Sequence, residues 1–200
     1  MVKSLVEKRS ISAALRLGRA AKVPNLIFMT DAVRAPNPAD ICLCLPAGSI
    51  IILRDYNHAD RTGLAESLRR VTRKQNQFLL VAGDPLLVRR VGADGLHLPE
   101  YQLEHPPSLT SFGIVSAACH SHRALLKAER LGVDFALVSP VFKTDSHPGA
   151  ASLGVHRLAR LAAITKTPLV ALGGINAKNA AQLAGINLLG VAAVSAFSCT

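Results

Sequence analysis

A polar stretch that follows an apolar run near residue 140 has the composition of an anion-binding loop. The segment SPVFKTDSHPG, residues 139–149, carries hydroxyls at Thr144 and Ser146, beside Lys143. In an extended chain, side chains two positions apart lie on the same side, so both hydroxyls can face one ligand. Ordinary turn chemistry explains the same residues, since serine, proline and glycine are frequent in turns. Without further information, the segment is therefore either a binding loop or a surface turn.

A second group of residues has the composition of a phosphate pocket. Gly173 and Gly174 end an apolar run, and Asn176 follows as the expected N-cap of a helix. Glycine lets the backbone approach a phosphate closely, and a helix amino terminus offers oriented N–H donors. The last apolar run ends at Val194 and Ser195, which can complete such a pocket. A tight turn without a ligand is the alternative for the glycine pair.

The charge of the chain favours anionic small molecules as ligands. Lysine and arginine number 23 against 13 acidic residues, which gives a net charge of +10. A basic protein attracts phosphate esters and, less specifically, nucleic acid. Aromatic residues make up 4% of the chain and tryptophan is absent, so stacking platforms for single-stranded nucleic acid are scarce. We therefore expect small phosphorylated partners and no nucleic acid.

The cysteines and the apolar runs bear on the cellular compartment. The spacing of the four cysteines fits neither a zinc framework nor a disulfide scaffold. We expect Cys42 and Cys44 to be buried thiols in a reducing compartment, rather than a metal pair. No apolar run approaches the ~18 residues that a membrane span needs. These patterns predict a cytoplasmic protein without a membrane partner, and they leave its oligomeric state undetermined.

The elements that must position these residues follow an alternating strand and helix pattern, typical of parallel sheets with crossover helices. Several strands are continuously apolar, as in sheets covered on both faces. We predict strands at 26–30, 49–53, 77–83, 95–98, 112–119, 135–139, 169–174 and 188–197, and helices at 63–74, 121–131, 154–166 and 176–184. The predicted fold is α/β, a single-domain TIM (β/α)8 barrel. A doubly wound open sheet is the alternative, although its glycine fingerprint is missing.

Both ends of the chain are expected to depart from a regular barrel. Residues 1–22 are basic, and Ser10 can cap a helix with one apolar face. We predict that this amino-terminal helix covers the barrel, in preference to a removable transit peptide. The barrel domain then spans 23–200. Only three residues follow the predicted last strand, so the eighth helix is missing or truncated.

Ligands of such barrels bind at the carboxyl ends of the strands, so residues that follow strands are site candidates. Besides the groups above, these are Thr30 and Asp31, Arg54 and Asp55, Gly83 and Asp84, His97, Cys119 and His120. Structural alternatives exist for several of them. Asp84 can cap the helix that it begins, and Arg54 can pair with Asp31 or Asp84. We expect His97 to be a buried core residue with a hydrogen-bond partner, and His120 to be architectural.

Four segments carry a resemblance to a known family: GADGLHL (92–98), HSHRALLKAERLGVDFALVSPVFKTDS (120–146), PLVALGGINAKNAAQLAGINLLGVAAVSAF (168–197) and, more faintly, LIFMTD (26–31). Over most of the chain after residue 76, the sequence resembles the thiamine-phosphate synthase and thiazole tautomerase family. The resemblance implies a TIM barrel. Synthases of this family join a hydroxymethylpyrimidine diphosphate to a thiazole phosphate and release diphosphate, with magnesium bound. Cations and hydroxyls on the leaving oxygens lower the barrier of such a reaction.

The resemblance also implies roles for individual residues. Gly173, Gly174, Val194 and Ser195 would hold the thiazole phosphate. Arg54, Thr144 and Ser146 would hold the diphosphate, with His147 in place of a family lysine. Asp84 would ligate Mg²⁺.

Departures from the family pattern leave the activity open. Tyr56 replaces the lysine of an Arg-x-Lys motif, and Glu100 is out of register with the acid that is a second metal ligand. Ala118 replaces a serine of the synthases, and Pro140 replaces the acid/base histidine of the tautomerases. A divergent thiamine-phosphate synthase is the first expectation. The alternatives are a non-catalytic barrel that binds or senses phosphate ligands, and a tautomerase that uses His147 or His120.

Overall fold

Eight parallel strands form the frame of the molecule. The computed structural model describes residues 25–144, 151–195 and 197. The strands are β1 (Asn25–Met29), β2 (Ile50–Leu53), β3 (Phe78–Ala82), β4 (Gly95–Leu98), β5 (Ile114–Cys119), β6 (Phe135–Val138), β7 (Leu169–Leu172) and β8 (Gly190–Ala193). Each pairs in parallel with the next, and β8 pairs with β1. This closure confirms the predicted TIM barrel, because an open sheet would leave two unpaired edges.

Helices join the strands in the order that a barrel requires. Those in the described residues are α1 (Pro38–Cys44), α2 (Arg61–Lys74), α3 (Pro85–Val91), α4 (His122–Leu131) and α5 (Val155–Ile164), with short 3-10 segments at Glu100–Leu103 and Ala180–Leu183. Three predicted helices therefore match α2, α4 and α5 within two residues. Gly132 ends α4 with φ +67°, as expected for a glycine C-cap. Asp84 is the N-cap of α3, as its position indicated.

The helix predicted at 176–184 is wrong in type and extent, because only Ala180–Leu183 forms a 3-10 turn there. Two asparagines bond to the backbone in place of a helical ladder. Asn179 Oδ1 accepts the N–H of Asn176 at 2.8 Å, and Asn179 Nδ2 donates to the Gly174 carbonyl at 2.7 Å. Such local bonds compete with helix formation. Asn176 therefore does not cap an α-helix.

The continuously apolar strands are explained by two hydrophobic clusters, one on each face of the sheet. In β1, Ile27 and Met29 belong to the cluster inside the barrel, and Phe28 belongs to the cluster beneath the helices. In β4, both leucines belong to the outer cluster, so His97 between them faces the interior. Ser116 lies opposite His97 on β5 and faces the same way. Polar side chains are therefore built into the inner layer at this position.

Two strands, β7 and β8, end at least two residues earlier than predicted, for backbone reasons. β7 ends at Leu172 because Gly173 and Gly174 adopt φ values of +97° and +66°, which lie outside the extended region. β8 is confined to the residues that find partners on β1 and β7. Within the described part of the chain after β8, residues 194–195 and 197, no helix is present. The amino-terminal helix predicted for residues 1–22 lies outside the described residues.

The cysteine prediction is correct at one position and wrong at another. Cys42 is fully buried, as expected, and burial raises the pKa of its thiol to about 12. Cys44 is exposed and disulfide-bonded, because α1 turns it away from the core that Cys42 enters.

Among the described residues, none of the helices has the length and apolar character of a membrane span.

Candidate functional site

A cavity of about 690 Å³ lies at the carboxyl ends of the strands and collects most of the predicted site residues. Its lining includes Arg54, Thr144, Gly173, Gly174, Val194 and Ser195. The other charged residues and the aromatic residues of the lining are Arg34, Lys143, Glu100, Tyr56, Tyr101, His97 and His120. Asp84 is not part of this lining, and Ser146 and His147 lie outside the described residues.

The glycine pair is required by close contact between two loops. A Cβ atom on Gly174 would lie 2.3 Å from the Lys143 carbonyl oxygen, and one on Gly173 would lie 2.8 Å from Pro140 Cα. The loops are joined by a hydrogen bond from the Phe142 N–H to the Gly173 carbonyl, 3.0 Å long. The glycines therefore bring the loop that carries Thr144 against the loop after β7. This contact forms one wall of the cavity.

Arg54 is oriented by groups at the end of β1. Its Nη2 lies 2.5 Å from Asp31 Oδ2, and its N–H donates to Thr30 Oγ1 at 3.0 Å. The Thr30 hydroxyl in turn donates to Asp55. Of the two structural partners predicted for Arg54, the structure selects Asp31. The Arg54 side chain is nevertheless 31% exposed, so it can still meet a ligand in the cavity.

Arg34 is a cation of the cavity that the sequence interpretation missed. Its Nη2 lies 3.7 Å from the same Asp31 oxygen that binds Arg54. The two guanidinium groups therefore share one carboxylate at the rim of the barrel. The sequence feature that could have identified Arg34 is its i, i+3 spacing from Asp31, directly after β1. Together with Lys143, these residues place three cationic side chains on the lining.

His97 lies at the floor of the cavity, inside the barrel. It is 2% exposed, and its Nδ1 lies 2.9 Å from Ser116 Oγ. Burial, helped by Arg54 and His120, lowers the pKa of His97 to about 3. The predicted core histidine with a satisfied hydrogen bond is confirmed. The imidazole of His97 is therefore neutral at physiological pH, so this residue lines the cavity without adding a positive charge to it.

Glu100 and His120 connect the loops after β4, β5 and β6. Glu100 Oε2 accepts the N–H of His120 at 2.6 Å, and Oε1 accepts the Ser121 hydroxyl at 3.2 Å. The His120 ring Nδ1 lies 3.0 Å from the hydroxyl oxygen of Ser139, the residue before Pro140. Ser121 also caps α4 through the N–H of Ala124. This arrangement agrees with an architectural role for His120, although its ring lines the cavity.

Asp84 makes the contacts of a helix cap. Its Oδ1 accepts the N–H of Leu87 at 2.9 Å, and its Oδ2 lies 3.5 Å from Arg61 Nη1. Among the described residues, no three His, Cys, Asp or Glu side chains come together as a metal site. Mg²⁺ is usually held by one or two carboxylates together with water and substrate phosphates, but both oxygens of Asp84 are already engaged by a backbone N–H and by a guanidinium. The groups around Asp84 therefore do not fit a resident Mg²⁺ ion.

Comparison with known proteins agrees with this architecture. The family model described as thiamine monophosphate synthase matches residues 29–197. A thiamine-phosphate synthase of Syntrophomonas wolfei is 32% identical, over 74% of this chain and 74% of that protein. One of Pyrococcus furiosus is 28% identical, over 86% of each chain. The solved structure of a thiamine phosphate pyrophosphorylase from Pyrococcus furiosus superposes with a TM-score of 0.71, at 28% identity, over 86% of this chain and 85% of the other. The chain therefore belongs to the thiamine monophosphate synthase family.

Proposed function

We propose that this barrel is a transferase of thiamine biosynthesis, which joins hydroxymethylpyrimidine diphosphate to thiazole phosphate and releases diphosphate. Membership of the family and the names of the relatives support the reaction class. The observation that carries the proposal is the composition of one cavity of about 690 Å³. Two glycines and Ser195 line it, and so do three cationic side chains with Thr144. Such a cavity can hold two phosphorylated ligands next to each other.

The thiazole phosphate is assigned to the loops after β7 and β8. Gly173, Gly174, Val194 and Ser195 line the cavity there, and TIM barrels frequently bind phosphate with these two loops. The segment after β7 is a 3-10 turn and not an α-helix, so a helix dipole adds little to this pocket. Backbone groups of the glycine turn and the Ser195 hydroxyl are the expected donors.

The diphosphate is assigned to Arg54 and Thr144. In the reaction, the carbon–oxygen bond to the diphosphate breaks, and the electron pair leaves with the diphosphate. The thiazole supplies the pair that forms the new bond to the pyrimidine carbon. Arg54 can stabilise the charge on the departing oxygens, because Asp31 already holds its guanidinium in place. Ser146 and His147 remain predicted members of this group.

Mg²⁺ is the cofactor that the family implies, and the described residues do not fit it well. Asp84 caps α3 and faces Arg61, and both oxygens of Glu100 accept hydrogen bonds from the loop after β5. Arg34, Arg54 and Lys143 are the groups that can meet the negative charge of the leaving group.

A direct assay tests the function. The protein is incubated with both phosphorylated substrates, and thiamine phosphate and released diphosphate are quantified with and without Mg²⁺. We expect stoichiometric formation of the two products. Absence of product, while calorimetry shows that thiazole phosphate still binds, would refute the transferase and favour the binding role.

The alternative, a non-catalytic barrel that binds phosphate ligands, is favoured by one set of observations. Tyr56 and Tyr101 line the cavity where the family resemblance implies polar groups, and Glu100 is engaged in loop contacts. A tautomerase has less support, since Pro140 has no acid/base group and His120 bonds to Ser139. The expected cytoplasmic location remains a prediction, and the disulfide at Cys44 disagrees with its premise of reduced thiols.

A further inference from the structure

We propose that the Arg61 guanidinium takes the place of a metal ion beside Asp84, so that this barrel binds its anionic ligand with side-chain cations and without a resident divalent ion. The proposal deepens the function given above and rests on it for the class of ligand. The claim that no divalent ion is resident does not depend on that function, because metal binding is measured separately.

Arg61 is fixed at the carboxyl ends of two strands. It is the first residue of α2, after the N-cap Asp60, and its side chain is only 16% exposed. Its Nη2 donates to the Ala82 carbonyl at 2.6 Å and lies 3.5 Å from the Leu53 carbonyl. These oxygens end β3 and β2. Carbonyl oxygens at strand ends are possible ligands of a hard cation, and here a guanidinium occupies them.

The same guanidinium neutralises Asp84. Arg61 Nη1 lies 3.5 Å from Asp84 Oδ2, while Asp84 Oδ1 accepts the N–H of Leu87. Each carboxylate oxygen therefore faces a positive or hydrogen-donating group already. A divalent ion at Asp84 would stand within a few ångströms of a fixed positive charge, and like charges at this distance repel strongly in a partly buried site. Arg61 Nε is buried without a hydrogen-bond partner among the described residues.

Two tyrosines separate this ion pair from the cavity. The Arg61 Cζ atom lies 5.4 Å from the centroid of the Tyr56 ring, a cation–π distance. Tyr56 and Tyr101 both pack on Gly83, where a Cβ atom would meet Tyr56 Cε1 at 3.3 Å and the Tyr101 hydroxyl at 3.6 Å. Both rings line the cavity, whereas Arg61 and Asp84 do not. A ligand in the cavity therefore meets phenol rings at this point and not a carboxylate.

The Tyr56 hydroxyl is not an anionic ligand for a metal ion. Burial, and then the neighbouring Tyr101, raises the pKa of Tyr56 above its usual value, so that its hydroxyl stays protonated near neutral pH. Glu100, which does line the cavity, accepts hydrogen bonds with both carboxylate oxygens, from the His120 N–H and the Ser121 hydroxyl. The positive charge available to a diphosphate thus comes from arginine and lysine side chains.

Mn²⁺ is a suitable probe, because its electron paramagnetic resonance signal falls when the ion binds protein. We expect the native protein to leave the signal of free Mn²⁺ unchanged at millimolar concentration. Arg61→Gln should bind Mn²⁺ at least tenfold more tightly than the native protein, and the double variant with Asp84→Asn should lose that gain. Arg123→Gln is the matched control, since this arginine is 83% exposed and is not part of the cavity lining.

A second measurement uses inorganic diphosphate and the unmodified chain, in case Arg61→Gln does not fold. Calorimetry in the presence of a chelator should show diphosphate binding, weakened at least tenfold in Arg54→Gln. Mn²⁺ binding by the native protein that Asp84→Asn removes would overturn the proposal, and so would diphosphate binding that requires Mg²⁺. A folded Arg61→Gln without any gain in Mn²⁺ affinity would overturn it as well. If no turnover is found under any condition, these binding results still decide the role of Arg61.

Discussion

Replacing Gly174 with alanine, in comparison with the same replacement at Gly132, separates the cost of backbone strain from the cost of a steric clash. Gly174 has φ +66°, and Gly132 at the end of α4 has φ +67°, so the backbone strain of an alanine is the same at both positions. That strain is roughly 1–2 kcal/mol. Around Gly132 nothing lies within 4 Å of the added Cβ, whereas at Gly174 the Lys143 carbonyl lies 2.3 Å away. Overpacking of this kind adds about 1–3 kcal/mol.

We therefore expect Gly132→Ala to lower the free energy of unfolding by about 1–2 kcal/mol and Gly174→Ala by about 2–5 kcal/mol, in urea titrations of both variants. The clash can also be relieved by moving the loop that carries Thr144. In that case, calorimetry should show that Gly174→Ala binds thiazole phosphate at least tenfold more weakly, while Gly132→Ala binds it normally. Equal stability and equal affinity of the two variants would refute the assigned contact between the loops.

Substitutions at three further positions test the remaining assignments. Arg54→Gln should reduce the rate of diphosphate release by roughly 10²–10³-fold, the usual effect of removing one charge-stabilising donor, and Arg54→Lys should recover part of it; an unchanged rate in single-turnover assays would remove Arg54 from the site. Asp84→Ala should cost about 0.5–2 kcal/mol of stability in urea, whereas Asp84→Asn should keep both the helix cap and the turnover; a silent Asp84→Ala would contradict the capping role. The unfolded chain protonates His97 below pH 6.5, but the folded chain does so only near pH 3. The stability that His97 contributes is therefore present above pH 6.5 and lost as the pH falls toward 3, and His97→Gln should flatten the acid limb of the pH–stability curve.

The barrel could be predicted from the sequence because its signal is local. Each strand is a short apolar run, and β4 has the bounds that the sequence indicated, Gly95–Leu98. Such runs report burial on both faces, which a barrel beneath a layer of helices provides. The Asp84 cap and the Gly132 C-cap follow from the same kind of local rule.

Elements whose geometry depends on competing side-chain bonds were predicted less well. Residues 176–184 have a helical composition, yet Asn176 and Asn179 bond to nearby backbone groups and leave only a 3-10 turn. Cys44 lies two residues from the buried Cys42, yet it is exposed and disulfide-bonded. Local pattern does not say which of two possible bonding arrangements has the lower free energy.

The sequence by itself determined that the chain has eight buried strands and that cations, hydroxyls and glycines follow them. Only the tertiary structure decided which of these residues meet. Closure of the barrel brings the Lys143 carbonyl against Gly174, and Arg61 beside Asp84 under two tyrosines. The first pair lies 31 positions apart in the chain and the second 23, so their contacts depend on how neighbouring loops pack. Residues that are distant in sequence decide whether a carboxylate holds a metal ion or an arginine. The reason is that a cation already at that point repels a second cation and fills its space.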